Sequence, residues 1–503
     1  MGAPVILDHR GNPVSVAAIS THFEGASTEV RLGEWGLSGA GPNASLHGSL
    51  ISLRRRARTL CNNNPLAKGG LDSFVANLVG TDISPTWELD NGEQKEELQQ
   101  LWADSQQEMD FYGVSDFYGQ QELAARAMIQ DGEVLCRFHE AHPGDGLTVP
   151  LQLQLLEADH LEVDYNDVSP EGNEIRYGIE WKGGRRYRYW LTADHPGEAF
   201  FSRGAIRRVP VAAADLLHVY RVLRPGQARG ITWLAPIIVK LREIDIYDDA
   251  ELVRKKVSAL WGGFIYSDNP MTDRSVGGTR LSTANGAQSI TLGAGTFPVL
   301  KNGQKIQFHE TADVGNNYMD FMRIQFREVA RGWGLTYEQL TGDLTGVNYT
   351  SLRAGLIEFR RLCETLQQGT LIHQFCRPVI DRWIRTAMLN VPLETITIGE
   401  YLKRPRRFHR VKWNPDGWDF TDPVKDRLAI LLDIRNGLTS RMRAVAARGD
   451  RVDQIDMENL EDLERTIAKT LVYDCYPGQT NQAGTLQQKM EEKVITDSLE
   501  DDR

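Results

Sequence analysis

The sequence has little cysteine, and its cysteines are arranged for neither metal binding nor a disulfide framework. Five of them are spread over 503 residues, no two form a CxxC pair, and none clusters with histidine at metal-ligand spacing. An odd and dispersed set of thiols is typical of proteins in a reducing cytoplasm. We therefore predict that they serve as small apolar residues; they are Cys61, Cys136, Cys363, Cys376 and Cys475.

Long apolar runs are also missing. No stretch approaches the roughly 18 uninterrupted apolar residues that a transmembrane helix needs. Residues 1–20 lack a basic segment followed by an apolar core, so they do not resemble a secretory signal peptide. We therefore expect no membrane partner.

The chain has no surplus of positive charge. It carries 57 lysines and arginines against 68 aspartates and glutamates, which gives a net charge of −11 at pH 7. Proteins that clamp DNA neutralise its phosphates with a surplus of lysine and arginine, so the sequence does not predict a general DNA clamp. A protein through which DNA slides is compatible with this charge, because tight phosphate contacts would hinder sliding.

Catalytic and nucleotide-binding motifs are absent as well. The sequence contains no P-loop, no GxGxxG after a strand, no HExxH and no GxSxG. Asp248 and Asp249 with Glu251 could ligate a metal, and His139 and His142 flank a turn. Paired acids on a surface helix are usually only solvated, so we predict no metal, no cofactor and no enzyme. Any ATP-driven motor that acts with this protein would be another chain.

The first half of the sequence predicts an α+β region. Helical apolar spacing continues from about Asn43 to Gln130, and alternating strand patterns follow from Glu133 to Tyr220. The helices are expected at 66–80, 92–112 and 116–130, after a first helix that begins near residue 45. The arginines in 54–58 could touch nucleic acid, but a solvated helix face is favoured. Aromatic residues in 177–190 could stack on bases, but packing within a sheet is favoured.

The second half predicts long helices. Pro236 opens a helix to about residue 260, and a Gly-rich β-like segment with an Asn302-Gly303 hairpin signal follows. The next helix, 316–332, carries an apolar stripe and a parallel row of arginines. A polar loop, 336–350, leads into a third helix that should kink at Pro378. The stripe is Tyr318, Met322, Phe326, Val329 and Trp333, and the row is Arg323, Arg327 and Arg331.

Four segments together resemble the portal proteins of tailed double-stranded DNA phages, specifically the lambda-type portal family. They are Asn62-Asn-Asn-Pro65 through Asn77-Leu-Val-Gly80, then Gly226-Gln-Ala-Arg-Gly230, then Gly334-Leu-Thr-Tyr-Glu-Gln-Leu340 with Asn348-Tyr-Thr-Ser-Leu-Arg-Ala354, and finally Trp418 with Asp422-Pro-Val-Lys425 and Asn436-Gly-Leu-Thr-Ser440. Each segment is a weak signal alone. Their order over about residues 50–470 is specific.

The resemblance implies a phage portal fold of wing, stem, clip and crown, with long stem helices, a kinked wing helix and a mostly helical C-terminus. The implied parts are a flexible arm (1–45), a wing α+β region (46–228), a first stem helix (229–260), a β-rich clip (261–312), a second stem helix (313–335), a tunnel-loop region (336–350), a wing helix and connector (351–421), crown helices (422–471) and a mobile tail (472–503).

The resemblance also implies a function. A homo-oligomeric ring, usually dodecameric, would sit at one capsid vertex of the virion and pass double-stranded DNA without sequence specificity during packaging and ejection. Its implied partners are the large terminase subunit, the head–tail connector, and the major capsid protein or scaffold, with assembly in the host cytoplasm. The tunnel-loop residues would be Thr341, Gly342, Asp343, Leu344, Thr345, Gly346, Val347 and Asn348. This loop is richer in Gly and Asp than in the Asn and Ser of the family.

Two other functions are compatible with parts of the sequence. Another ring or adaptor protein of the virion, such as a connector or tail component, would also need extended helices. The order helix, β segment, helix, loop, helix argues against it. A capsid-associated nuclease or protease would need a carboxylate cluster or a nucleophile with its base, and the sequence shows neither.

Overall fold

A computed structural model of the chain describes residues 39–198, 207–260, 316–418 and 422–469, together with four short strands between residues 264 and 307. The first half alternates helices and strands. Its elements are α1 (Ala44–His47), α2 (Leu50–Asn63), α3 (Pro65–Val79), β1 (Ile83–Trp87), α4 (Gly92–Ser105), α5 (Phe117–Gln130), β2 (Glu133–Glu140), β3 (Leu151–Glu157), β4 (Asp167–Val168), β5 (Glu174–Arg176), β6 (Ile179–Lys182), β7 (Arg185–Thr192), β8 (Arg208–Ala212) and β9 (Leu216–Tyr220).

The second half is mainly helical. Its elements are α6 (Ile238–Leu260), β10 (Phe264–Ser267), β11 (Ser282–Ala284), β12 (Ala287–Ser289), β13 (Gln304–Gln307), α7 (Asn316–Trp333), α8 (Tyr337–Thr341), α9 (Tyr349–Leu366), a π-helical segment (Gln367–Cys376), α10 (Arg377–Asn390), α11 (Ile398–Lys403), α12 (Pro405–Phe408), β14 (Val411–Pro415), α13 (Pro423–Arg435), α14 (Arg441–Ala446) and α15 (Val452–Ala468). The α+β fold class is confirmed. Among the described helices, none has the length and hydropathy needed to span a membrane.

Helix α3 shows how local sequence sets the ends of a helix. The side chain of Asn64 accepts a hydrogen bond from the amide of Ala67, and Pro65 follows at the first helical position, where its missing N–H costs nothing. The helix ends at Gly80, which has a φ of 70°. Its buried face carries Leu71 and Phe74, as the periodicity predicts.

Two antiparallel sheets form the β part of the first half. Strand β2 pairs with both β3 and β9, and β4 to β8 form a meander in chain order. The sequence predicts a single strand through Ile175, Tyr177 and Ile179, and this prediction is wrong. Tyr177 has a φ of 57° and stands in a turn with Gly178 between β5 and β6. The aromatic side chain of Tyr189 is buried in this sheet, in accord with packing rather than base stacking.

A cluster of aromatic rings forms the centre of the largest hydrophobic core. The ring centroids of Trp102 lie 5.0 Å from Phe117 and 5.2 Å from Trp383, and Trp87 lies 5.7 Å from Trp383. Trp383 belongs to α10, so this cluster joins the two halves of the chain. The antiparallel pairing of β1 with β14 joins them again. The sequence did not predict this pairing, because the two strands are short and far apart.

Helices α6 and α7 carry the predicted apolar faces, but only part of each face is buried. Ile237, Leu241 and Ile244 are buried beside or on α6, whereas Leu252 is exposed. On α7 the predicted stripe packs inward, with Val329 fully buried. Between these helices β10 pairs with β13, and β11 pairs with β12. The predicted strand at 305–309 overlaps β13, while the remaining predicted strands and the Asn302-Gly303 turn extend outside the described residues.

Just before Pro378, where the sequence predicts a kink, the structure has a π-helical segment. Helices α9 and α10 are continuous through Gln367–Cys376, and Pro378 stands in the first turn of α10. Proline lacks the N–H that would continue the α-helical ladder, so a change in hydrogen bonding just before it is expected.

Several predicted boundaries need correction. The helix expected over 92–112 ends at Ser105 and continues only as a 3-10 turn to Glu108, because the chain then turns toward β3 through a bridge between Asp110 and Leu153. The sequence predicts C-terminal helices over 423–436, 440–448 and about 452–471, and α13, α14 and α15 lie within these ranges, with Asp422 and Ser440 as N-caps of the first two. Most of the predicted N-terminal arm and the predicted C-terminal tail lie outside the described residues.

Candidate functional site

The predicted loop region contains a short helix and a tight turn. A capping box joins Thr336 and Gln339 at the start of α8, and Gly342 ends that helix with a φ of 69°, in the left-handed region that suits glycine. Asn348 then caps α9 by accepting a hydrogen bond from the amide of Thr350. The irregular part is therefore confined to residues 342–348, a narrower span than the predicted loop of 336–350.

Asp343 holds the turn together. Its carboxylate accepts hydrogen bonds from the hydroxyl of Tyr337 at 3.0 Å and from the amide of Thr345 at 3.0 Å. The hydrogen bonds from Thr345 and Tyr337 lower the pKa of Asp343. Thr341 adds a hydrogen bond from its hydroxyl to the carbonyl of Tyr337 and accepts one from the amide of Asp343. These side chains fix the turn rather than extend from it.

The other predicted loop residues are more open to solvent. Gly342, Leu344, Thr345, Gly346 and Asn348 are exposed, and Val347 is half-buried. The structure thus brings the eight predicted residues together in one turn, in which a few side chains maintain the shape and the rest reach outward. The outward groups are uncharged.

The row of arginines on α7 faces this loop region. The guanidinium of Arg327 lies 5.7 Å from the ring centre of Tyr337, and a terminal nitrogen of Arg323 lies 3.9 Å from the carboxylate of Asp343. Arg331 reaches Glu358 on α9 at 3.3 Å. Each arginine of the predicted row therefore lies beside one of these elements: Arg327 beside α8, Arg323 beside the turn and Arg331 beside α9.

A buried ionic network anchors the segment that leads into α6. The carboxylate of Glu133 accepts hydrogen bonds from Arg229 at 2.9 Å, from Arg54 at 2.8 Å and from the amide of Gly230 at 2.7 Å. His218 adds a fourth contact at 2.9 Å. All four side chains are buried, so the network joins α2, β2, β9 and the chain before α6 inside the protein.

Burial and charge compete at this network. Burial by itself would raise the pKa of Glu133, but the charge of Arg229 and the hydrogen bond from His218 outweigh it, and the pKa lies well below its usual range. Burial lowers the pKa of His218 to about 4, so His218 is neutral at pH 7. Its contact with Glu133 is then a hydrogen bond from a neutral imidazole to an ionised carboxylate rather than an ion pair.

Comparison with known proteins assigns the chain to a family. A model of the family described as "Phage portal protein, lambda family" matches residues 28–367, which is more than half of the chain. This chain belongs to the lambda family of phage portal proteins. The family predicted from the four sequence segments is confirmed.

Three portal proteins of phages are similar in sequence. The chain is 27% identical over 344 residues to the probable portal protein of Halomonas phage phiHAP-1, a match that covers 67% of this chain and 64% of that protein. It is 21% identical over 481 residues to the portal protein of Escherichia phage N15, covering 89% and 90%. It is also 21% identical to portal protein B of Escherichia phage lambda, covering 57% of each chain. The match therefore spans less than two thirds of the phiHAP-1 protein.

Solved structures show a distant likeness. The neck of a native gene transfer agent particle, computed with C12 symmetry, has a TM-score of 0.43 at 14% identity, and the match covers 80% of this chain and 93% of that chain. An HK97 family phage portal protein from Corynebacterium diphtheriae has a TM-score of 0.30 at 10% identity, covering 61% and 85%.

Two arginines of this portal protein were misassigned from sequence. Arg54 is buried against Glu133, and Arg58 pairs with Asp131 at 2.5 Å, so neither belongs to a solvated face or a nucleic-acid contact. Arg55 and Arg56 are exposed as predicted. A signal for Arg54 was present, because it falls on the same helical face as Leu50, Ala57 and Cys61.

One group of side chains in this portal protein consists of residue types that bind metals, but an arginine already contacts its carboxylates. The ligand atoms of Glu157, Asp159 and His195 lie within 4.8 Å of one another. A terminal nitrogen of Arg58 already contacts Glu157 at 2.8 Å and Asp159 at 2.6 Å. Because the guanidinium of Arg58 already contacts these carboxylate oxygens, they are not free to bind a metal ion.

Two of the three acids considered as metal ligands on α6 contact other side chains. Asp248 accepts a hydrogen bond from the hydroxyl of Tyr318 on α7, and Glu251 pairs with Arg254 at 2.6 Å. The contact between Asp248 and Tyr318 joins the two long helices. His139, also considered, stacks on Phe111 with ring centres 4.4 Å apart.

Proposed function

We propose that this portal protein assembles into a ring at one capsid vertex and that genomic double-stranded DNA passes through the ring during packaging and ejection. The observation that carries the proposal is the family match, which runs from residue 28 to 367 and includes both long helices and the loop after them. Ring assembly, with twelve copies as the expected number, follows from the family resemblance.

The exposed faces of α6 and α7 support a ring. A helix pair that leaves large apolar side chains in water gains stability when another surface covers them. Copies arranged around an axis supply that surface, because each helix pair then has two neighbours. We therefore propose residues 229–260 and 313–335 as the stem. The exposed apolar residues are Ile246, Tyr247, Leu252, Val253, Met319, Phe321 and Ile324.

The remaining parts follow from this assignment. We propose residues 46–228 and 351–421 as the wing, and the β1–β14 pairing and the shared aromatic core support treating them as one unit. Residues 261–312 would form the clip, which docks the large terminase subunit and then the head–tail connector. Residues 422–471 would form the crown. The major capsid protein or scaffold would contact the ring during assembly in the host cytoplasm, and the mature ring would stay in the virion.

We propose the turn at 341–348 as the tunnel loop. Its outward side chains are uncharged, which suits a surface that DNA slides past. The exposed Leu344 and Thr345 can contact DNA without forming ion pairs with phosphates. The protein itself would contribute a passage and not a chemical step, so no catalytic residue is proposed.

A deletion of Gly342–Val347 tests the role of the loop. We expect rings to assemble at the wild-type protein concentration, while DNA packaging or retention falls at least about tenfold. Ring assembly is scored by single-particle imaging and packaging by nuclease-protected DNA in particles. A matched variant that replaces the same six residues with alternating Gly and Ser keeps the span of the loop and should assemble as well.

Two outcomes would contradict this proposal. Unchanged DNA retention in both variants would show that the loop does not act on DNA. Loss of rings in the deletion variant but not in the replacement would show that the turn is a packing element between α8 and α9.

A further inference from the structure

Residues 398–412, in the second half of the chain, form a basic surface. We call this surface the basic platform. Its exposed cations have no ion-pair partner within the part of the chain that the structure describes. Such a surplus is unusual in a chain with a net charge of −11. The cations are Lys403, Arg404, Arg406, Arg410 and Lys412.

The basic platform is held rigidly by the core beneath it. Tyr401 of α11 and Phe408 of α12 are buried, and Thr397 caps α11 by accepting a hydrogen bond from the amide of Glu400. Gln94 also donates to the carboxylate of Glu400 at 3.1 Å. The backbone of this surface is therefore already ordered, so a partner would have to order only its side chains.

Apolar side chains accompany the cations. Ile398 is 51% exposed and Leu402 is 66% exposed. At about 100° per residue the two lie about 40° apart on α11, to one side of the buried Tyr401. Exposed apolar groups next to unpaired arginines are typical of a protein-binding surface, because phosphates gain nothing from isoleucine or leucine.

Helix α15 also carries exposed apolar side chains, but its charge is opposite in sign to that of the basic platform. It is attached near its N-terminus, where Asp453 pairs with Lys95 and Arg451 lies 3.8 Å from Glu96. Its outward face carries Met457, Leu460 and Ile467, which are 61%, 56% and 65% exposed.

Two acids share that outward face. Glu461 and Glu464 fall between the apolar residues at helical spacing, and neither has an ion-pair partner among the described residues. Other acids of the helix form ion pairs: Asp456 pairs with Arg441 at 2.5 Å, and Asp462 pairs with Arg465 at 2.6 Å. The face is therefore apolar with free negative charge.

We infer that the outward face of α15 in one copy docks on the basic platform of a neighbouring copy. The two surfaces are complementary in charge, both carry uncovered apolar side chains, and each is left open within a single chain. They are different surfaces, so the contact is head-to-tail, and a head-to-tail contact repeated around an axis closes into a ring. The inference rests on the proposed ring and names one of its contacts.

Reversing the charges on each surface in the full-length chain tests this contact. One variant carries Arg404→Glu and Arg406→Glu, and a second carries Glu461→Lys and Glu464→Lys. Each variant alone should need at least about tenfold more protein for half-maximal assembly, measured by analytical ultracentrifugation. Mixed in equal amounts, the two variants should assemble near the wild-type concentration. In an alternating ring, every contact then joins either two native surfaces or two reversed ones.

Matched variants separate docking from folding. Arg55→Glu with Arg56→Glu changes the same charge on the exposed face of α2 and should assemble as the wild type does. Arg404→Gln with Arg406→Gln removes the platform charges without reversing them and should weaken assembly by about threefold. Each variant should keep the wild-type thermal unfolding temperature when it is monomeric.

Several results would overturn the inference. Reversed variants that assemble as the wild type does would leave the ring intact but exclude this contact. Rescue only when both reversals are in one chain, and not on mixing, would show that α15 docks on its own platform. Unchanged assembly with weaker binding of a duplex DNA probe would make the platform a nucleic-acid site. A wild-type chain that forms no ring would remove the proposed function as well.

Discussion

Glu133 is the residue on which the buried polar contacts around β2 and β9 converge. It lies at the start of β2, and the segment Arg229–Gly230 before α6 attaches to it through a side chain and a backbone amide. The two backbones touch here, because a Cβ on Gly230 would lie 2.1 Å from the carbonyl oxygen of Gly132. The position of the first long helix therefore depends on one carboxylate and two glycines.

Replacing Glu133 by Gln should destabilise the chain strongly. The substitution leaves Arg54 and Arg229 buried without their counter-charge, a change that costs about 3–5 kcal/mol in the free energy of unfolding. Denaturant unfolding measures the loss. Glu171→Gln, at an exposed pair with Arg188, serves as the control and should cost less than about 1 kcal/mol. Equal effects of the two substitutions would contradict the role given to the network.

Asp82 offers a test that depends on pH. Burial, together with the nearby Asp416 and Asp116, raises the pKa of Asp82 from 3.8 to about 6. An acid whose pKa is raised by folding loses stability as the pH rises from about 4 to 6, because the folded state favours the protonated form. Asp82→Asn should therefore stabilise the chain by about 1 kcal/mol at pH 7, after allowance for partial exposure, and by little at pH 4. Thermal unfolding at the two pH values measures the difference, and a gain at pH 4 only would be the wrong sign.

At the scale of elements, the contact between α6 and α7 is close because of a glycine. A Cβ on Gly332 of α7 would lie 2.3 Å from the Cγ2 atom of Ile237, which is buried just before α6. The hydroxyl of Tyr318 donates to Asp248 farther along the pair. The two long helices are thus held together by packing at Ile237 and by a hydrogen bond farther along the pair.

Gly332→Ala should separate these helices locally and lower the free energy of unfolding by about 1–2 kcal/mol, since overpacking outweighs the better helix propensity of alanine. Ile237→Ala removes the obstructing methyl group and costs about 2–5 kcal/mol through its cavity. The double variant should be more stable than the sum of the two losses predicts. Strict additivity would show that the two residues do not contact each other.

Local signals predicted several helices: an N-cap and a buried face for α3 and α5, an apolar stripe for α7, and the N-caps Asp422 and Ser440 for α13 and α14. It could not predict the pairing of β1 with β14, since those strands are five residues long and more than 300 residues apart. The turn at Tyr177 was missed because a positive φ at tyrosine has no sequence signal. The flanking motifs located the loop at 342–348. That Asp343 accepts hydrogen bonds from Tyr337 and Thr345 could be seen only in the structure.

At the scale of the whole molecule, exposed apolar side chains occur on many elements, and several of them lie along α6 and α7 and on the outward face of α15. A monomer that exposed these faces would be prone to association. We therefore regard the single chain as one sector of a larger assembly.

Single-particle imaging of the purified full-length chain tests the central claim most directly. We expect closed rings with a central channel, in which α6 and α7 of neighbouring copies pack side by side and residues 342–348 line the channel. A chain that stays monomeric or dimeric at high concentration under every buffer condition would contradict the ring, and with it the proposed passage of DNA.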